Sequence, residues 1–306
     1  MKNPVLISLL CSLLFGACSN EVENPFSDEV KYVEISAEDF VDESGSRTNL
    51  TIGSGGAVFS WAEKDTVGIF PNEGAQVYFP MKEGAGTKTA TFSGGGWALK
   101  NGSTYSAYYP FIGDYYIDKE NLPLDYTGQE QIGNASTAHL GAYDFMAAPP
   151  TSPSWGSVNF RFTHLGSLMQ IRLTIPAIGA FTTLALKSVE PIFTTSAKLG
   201  FANRNYTFTS TKIDNKLTLK LSGIETSAED QQCTFYLMTA PTNMLGNSVR
   251  VCLYDSNGKV YSAILESKNM QAGYSYDFEA TLEEYTENLS TENVSIPSLG
   301  EENVIE

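Results

Sequence analysis

Alternation with a period of two runs through most of this chain, and helical periodicity is scarce. Thr66-Val67-Gly68-Ile69-Phe70, Gln76-Val77-Tyr78-Phe79 and Thr87-Lys88-Thr89-Ala90-Thr91-Phe92 are rich in β-branched and aromatic residues, the composition that fits a pleated, half-buried surface. The same pattern returns at 103–109, 158–162 and 168–175. In the second half it recurs at 184–189, 197–201, 206–208, 217–221, 233–239, 249–254 and 274–282. Gly53-Ser54-Gly55-Gly56, Gly84-Ala85-Gly86, Gly94-Gly95-Gly96 and Pro149-Pro150 punctuate these runs as turns. Many short strands at regular spacing predict an all-β protein, and they are too many for one small sandwich, so the pattern predicts two tandem sandwich domains.

The start of the chain breaks this pattern. Met1-Lys2 is followed by an apolar stretch from Val5 to Phe15 and then by Leu14-Phe15-Gly16-Ala17-Cys18. A short positive start, an apolar run too short to span a bilayer and a small-residue cleavage site read as a signal peptide over residues 1–17. The cysteine that closes it resembles a bacterial lipobox. That resemblance implies diacylglycerol on Cys18, a lipid anchor in a membrane, and, with Ser19 following, sorting to the outer membrane and the cell surface. More than one acyl chain is needed for stable anchoring.

Between this leader and the first body strand, residues 18–47 divide into two parts. In Tyr32-Val33-Glu34-Ile35-Ser36-Ala37 the residues Val33, Ile35 and Ala37 share one face, as in a strand. Asp42-Glu43-Ser44-Gly45-Ser46-Arg47-Thr48 is polar and contains glycine, the sort of exposed segment where proteolytic nicking concentrates. Arg47 is the first arginine of the chain and the next is Arg161. The body is divided at 178, giving domains at 48–178 and 179–282, with Pro149–Ser154 as the other place where composition allows a linker. Residues 283–306 form an acidic tail holding one alternating run, Val294-Ser295-Ile296. This tail is read either as a strand offered to another chain or as an unstructured end.

Composition narrows the chemistry. A net charge of −16 disfavours nucleic acid, which must be met by Lys and Arg. The chain has 4 cysteines and 2 histidines. With Cys11 in the leader and Cys18 acylated, only Cys233 and Cys252 remain with His139 and His164, a set too small for a zinc site, and no metal or other cofactor is expected. If 233–239 and 249–254 form one hairpin, Cys233 and Cys252 face each other at disulfide distance. Neither a nucleophile elbow, a phosphate loop nor a zinc-protease motif occurs, so no enzyme is expected. His164, inside an alternating strand, reads as a hydrogen-bonded structural residue, and Trp61, in phase with Phe59, as core. Trp61, Trp97, Trp155 and 16 tyrosines keep open an alternative, a surface lipoprotein that stacks aromatic rings on glycans.

Four blocks in order carry a family resemblance. Phe59-Ser60-Trp61 with Asp65 and Val67-Gly68-Ile69-Phe70, then Tyr105-Ser106-Ala107-Tyr108-Tyr109-Pro110, then Phe160-Arg161-Phe162-Thr163-His164-Leu165-Gly166-Ser167-Leu168, and finally Ala272-Gly273-Tyr274-Ser275-Tyr276 resemble blocks of the Bacteroidales fimbrillins. These are the Mfa-like subunits of type V pili. Met169-Gln170 stand where the family often has a basic residue. The resemblance implies two transthyretin-like sandwiches, export as a lipoprotein, and cleavage by a trypsin-like protease, here between Arg47 and Thr48. It further implies assembly with other pilus subunits by strand exchange: Val33 and Ile35 mark the strand removed, and Val294 and Ile296 a strand that could replace it.

Overall fold

The computed structural model describes residues 29–38, 41–42, 60–94, 98–113, 115–154, 158–202 and 205–286. Within them the protein is all-β apart from one short 3-10 turn, Leu140–Ala142. The chain opens with β1 (Glu29–Val30), β2 (Tyr32–Ala37), β3 (Val41–Asp42), β4 (Thr66–Pro71), β5 (Val77–Glu83) and β6 (Thr89–Ser93). It continues with β7 (Leu99–Lys100), β8 (Tyr105–Tyr109), β9 (Leu122–Asp125), β10 (Glu130–Ile132), β11 (Met146–Thr151) and β12 (Asn159–His164). Then come β13 (Ser167–Ile175), β14 (Gly179–Lys187), β15 (Phe193–Ala202), β16 (Asn205–Asp214), β17 (Lys216–Thr226) and β18 (Gln231–Thr239). The last are β19 (Thr242–Asn243), β20 (Arg250–Asp255), β21 (Val260–Ile264), β22 (Asn269–Met270), β23 (Tyr274–Thr281) and β24 (Glu283–Tyr285). Each period-two run read between residues 32 and 282 overlaps one of these strands, while Val294-Ser295-Ile296 lies outside the described residues.

In the first half, two sheets share their corner strands and close in the order β11-β12-β2-β6-β5-β4-β8. Inside lie Val33, Ile35, Trp61, Val67, Ile69, Phe79, Phe92, Phe160 and Phe162. Trp61 is core as expected: it is 1% exposed, donates from Nε1 to Lys88 O at 3.0 Å and meets Phe92 edge-on at 5.0 Å.

In the second half, the sheet β18-β13-β23-β3 packs on the sheet β10-β17-β14-β20-β21-β24. Their shared core includes Met169, Ile171 and Leu173 from β13 and Leu184 and Leu186 from β14. A third cluster joins the halves, with Phe70 and Tyr108 from the first packed among Leu168, Ala197, Leu199, Phe201 and Tyr236 of the second. This explains why all five residues of β8 are buried. Tyr105, Ala107 and Tyr109 point into the closed sheet, while Tyr108 points into the joint. Gly68 makes that possible, because a Cβ there would lie 2.1 Å from the Tyr108 ring.

The pairing moves the boundary expected at 178. β13, inside the expected first domain, pairs along its whole length with β18 and β23, so the chain passes between halves at Leu165-Gly166. Two more segments cross it: β9 pairs with β15 and β10 with β17. A linear boundary could not show this, because strands that follow one another in sequence are here divided between sheets.

Candidate functional site: a closed sheet and the seam filled by β2

The strand β2 carries the alternation that its sequence predicts. Val33 and Ile35 have no exposed surface and Ala37 is buried, while Tyr32 and Glu34 face out. It lies between two neighbours, antiparallel to β6 with Val33 opposite Phe92 and Ile35 opposite Ala90. On its other side it runs parallel to β12, with Ile35 opposite Phe160 and Ala37 opposite Phe162. Glu34 N donates to Val158 O at 3.0 Å, Ala37 N to Lys88 O at 3.0 Å, and Glu38 N to Phe162 O at 3.2 Å. Outside the sheet, Asn159 Nδ2 donates to the Glu34 carboxylate and Lys82 Nζ sits 4.3 Å above the Tyr32 ring. β2 is therefore an interior strand, although it comes from a segment separated from the rest of the sheet by residues 43–59.

The neighbouring short strands tie the same segment to both halves. β1 pairs with β7, and β3 runs parallel to β23 at the edge of the second half. At the far end of the described residues, β24 pairs with β21 and forms one edge of the six-stranded sheet.

One end of the seam is polar and buried. His164, at the end of β12, has Nδ1 2.6 Å from Asp144 Oδ1 and Nε2 2.7 Å from Glu38 O. The two side chains are only 1% and 7% exposed. Close by, Tyr109 donates to Asp65 Oδ1 at 2.9 Å and Ala62 N donates to Asp65 Oδ2 at 2.7 Å. Burial, above all, raises the Asp65 carboxyl above its ordinary range, with its two hydrogen bonds opposing and the Asp144 charge adding. Burial likewise lifts Tyr109 far above its usual value, reinforced by Asp65, and pushes Tyr108 up to about 12. His164 is thus the hydrogen-bonded structural residue expected from its strand. Its partners Asp144 and Glu38 were not signalled by the sequence.

Of the site residues expected from sequence, Val33 and Ile35 come together in the seam. Cys18, Arg47, Thr48, Val294 and Ile296 lie outside the described residues, as do Trp97 and Trp155. The hairpin expected to join Cys233 and Cys252 does not form. β18 pairs with β13, whereas β20 lies in the opposite sheet between β14 and β21, and neither cysteine is in a disulfide. The strands are consecutive long runs, but β18 ends in a crossing from one sheet to the other, which alternation alone cannot distinguish from a hairpin. Among the described residues no cluster of three His, Cys, Asp or Glu side chains could hold a metal.

A model of the fimbrillin-like family matches residues 47–298. Among solved structures, a candidate cell-adhesion protein from Bacteroides uniformis superposes with a TM-score of 0.54 at 15% identity, covering 85% of this chain and 96% of that one. A second, from Bacteroides ovatus, gives 0.51 at 16% identity, covering 84% and 96%. At those identities the likeness speaks for a shared fold. No curated protein matches the chain. The family match spans most of the sequence, and the chain therefore belongs to the fimbrillin-like family, as a pilus subunit of the cell surface and a structural protein rather than an enzyme.

Proposed function

We propose that residues 29–47 are a removable plug and that this subunit polymerises by replacing β2 with a strand from a neighbour. The observation that carries the reading is the place of β2. Among the described residues it is the only strand of the closed sheet that precedes residue 48, so one cut after Arg47 separates it covalently from all its partners. Its departure leaves β6 and β12 with unpaired main-chain groups facing one gap, a strong template for another strand. It also uncovers the sites of Val33 and Ile35, each worth about 1.5–3 kcal/mol of apolar burial. An empty seam is therefore unfavourable and favours strand uptake.

In this account the precursor is anchored in the outer membrane through lipidated Cys18, and a trypsin-like protease cuts between Arg47 and Thr48. Val294 and Ile296 of the tail supply the alternating apolar pair to the seam of another subunit. The polymer then contributes to adhesion. Pro297 follows that pair and would close the donor strand, because proline cannot give a ladder hydrogen bond.

The test is Arg47→Ala expressed on cells and examined by unboiled electrophoresis and electron microscopy. The expected product is a folded subunit that does not polymerise, with stability within about 0.5 kcal/mol of the wild type. Filaments of normal length from this variant would overturn the cleavage switch.

A further inference from the structure

The ladder between β2 and β12 does not stop at its last backbone pair. Beyond Phe162 and Ala37, Glu38 N donates to Phe162 O, and Glu38 O is met at 2.7 Å by the His164 ring. A carbonyl oxygen has only lone pairs, so Nε2 at this contact must carry a hydrogen. The other ring nitrogen is 2.6 Å from Asp144 Oδ1, and two bare acceptors do not approach that closely, so this contact also contains a proton. The ring is oriented from one side by Asp144, which comes from the segment just before β11, and aimed from the other at the strand in the seam. Met146 is opposite His164 in the β11–β12 ladder, so both members of the pair belong to the body that remains when residues before 48 are removed.

We propose that His164, positioned by Asp144, is a receptor for a main-chain carbonyl of whichever strand occupies the seam: Glu38 O in the intact chain and the matching carbonyl of an incoming strand after cleavage. The extension to an incoming strand rests on the exchange reading above, whereas the hold on the chain's own segment does not. The ligand is an extended peptide backbone, and the contact reads no side chain. The buried imidazole therefore sets where the strand stops along the groove, while the pockets of Val33 and Ile35 set which residues fit. Water cannot take the place of the acceptor beside a donor buried at this depth without reopening the sheet, so a strand one residue out of register would leave Nε2–H without an acceptor.

The experiment is amide hydrogen exchange on the intact full-length chain. His164→Leu is expected to speed exchange over residues 33–38 by about tenfold or more relative to amides of β13, leaving β11 and β13 close to wild type. His164→Gln, whose amide can still donate, is expected to recover most of that protection. Exchange within about twofold of wild type in the Leu variant overturns the proposal, as does loosening of β11 equal to that of 33–38, which marks a packing role. If the Leu variant fails to fold, nitrogen NMR of the His164 ring in the wild type decides. A proton on Nε2 is expected, and a bare Nε2 overturns the assignment. These measurements need no cleavage, so their failure sinks the receptor alone. Absence of polymer from cut wild-type chain sinks the exchange reading and leaves the receptor standing.

Discussion

The two halves of the molecule close their sheets differently. In the first half the gap between β6 and β12 is filled by a strand, held through main-chain bonds and three buried aliphatic side chains. In the second, the edge of β18 is covered by side chains. Gln129 accepts from Met238 N at 2.9 Å and donates to Met238 O at 2.6 Å. Gln131 repeats the arrangement two residues along, accepting from Tyr236 N at 2.8 Å and donating to Thr234 O at 2.9 Å. Asn134 accepts from Thr234 N at 2.8 Å, and His139 Nε2 lies 3.1 Å from Tyr236 O. Both devices meet the same need, because unpaired buried backbone groups are costly. A strand can be exchanged for another strand of similar alternation. A row of side-chain amides from the body of the protein cannot, and it blocks β18 against edge-to-edge pairing.

The largest effect that separates the two is expected from Ile35→Asp. A carboxylate at a site with no exposed surface and without a partner costs about 4 kcal/mol or more. On the proposal that β2 is the replaceable part, the loss should appear as exposure of residues 32–38 while the β13–β18 sheet keeps its exchange protection. Simultaneous loss in both halves would show that β2 is no separate plug. Gln129→Ala comes next, at about 2–3 kcal/mol, since it leaves Met238 N and O and Tyr126 O without their partner in a buried place. Urea denaturation should show one lowered transition for the whole molecule, because the cluster beneath Met238 joins the halves. Loss confined to β18 would contradict that.

Much of this was legible, and the exceptions have physical causes. β2 and β13 were readable because one face of each is apolar. Gln129-Glu130-Gln131-Ile132 is inverted: the glutamines are fully buried, while Ile132 is 68% exposed. A reading that places polar residues outside must miss it, because the glutamines serve the backbone of a strand about a hundred residues away. Asp144 was hidden for the same reason, since its pairing with His164 exists only once β11 lies against β12. Pro149-Pro150, which resembles a linker, ends a strand whose register shifts after Ala148, a place where prolines are tolerated.

The smallest predicted effect concerns pH at the end of the seam. Asp65 is raised by burial in the folded state, so its contribution to stability is full below the unfolded carboxyl value and is lost as pH rises through the folded one. Asp65→Asn should therefore flatten stability against pH in the acid range. An unchanged slope in denaturation measured across that range would remove Asp65 from the account.

The central claim, that β2 is a plug discarded on assembly, is tested most directly by mass spectrometry of subunits recovered from filaments on cells. The account predicts a mature N-terminus at Thr48 and no peptide covering residues 32–37. Filament subunits that still carry that strand would contradict it.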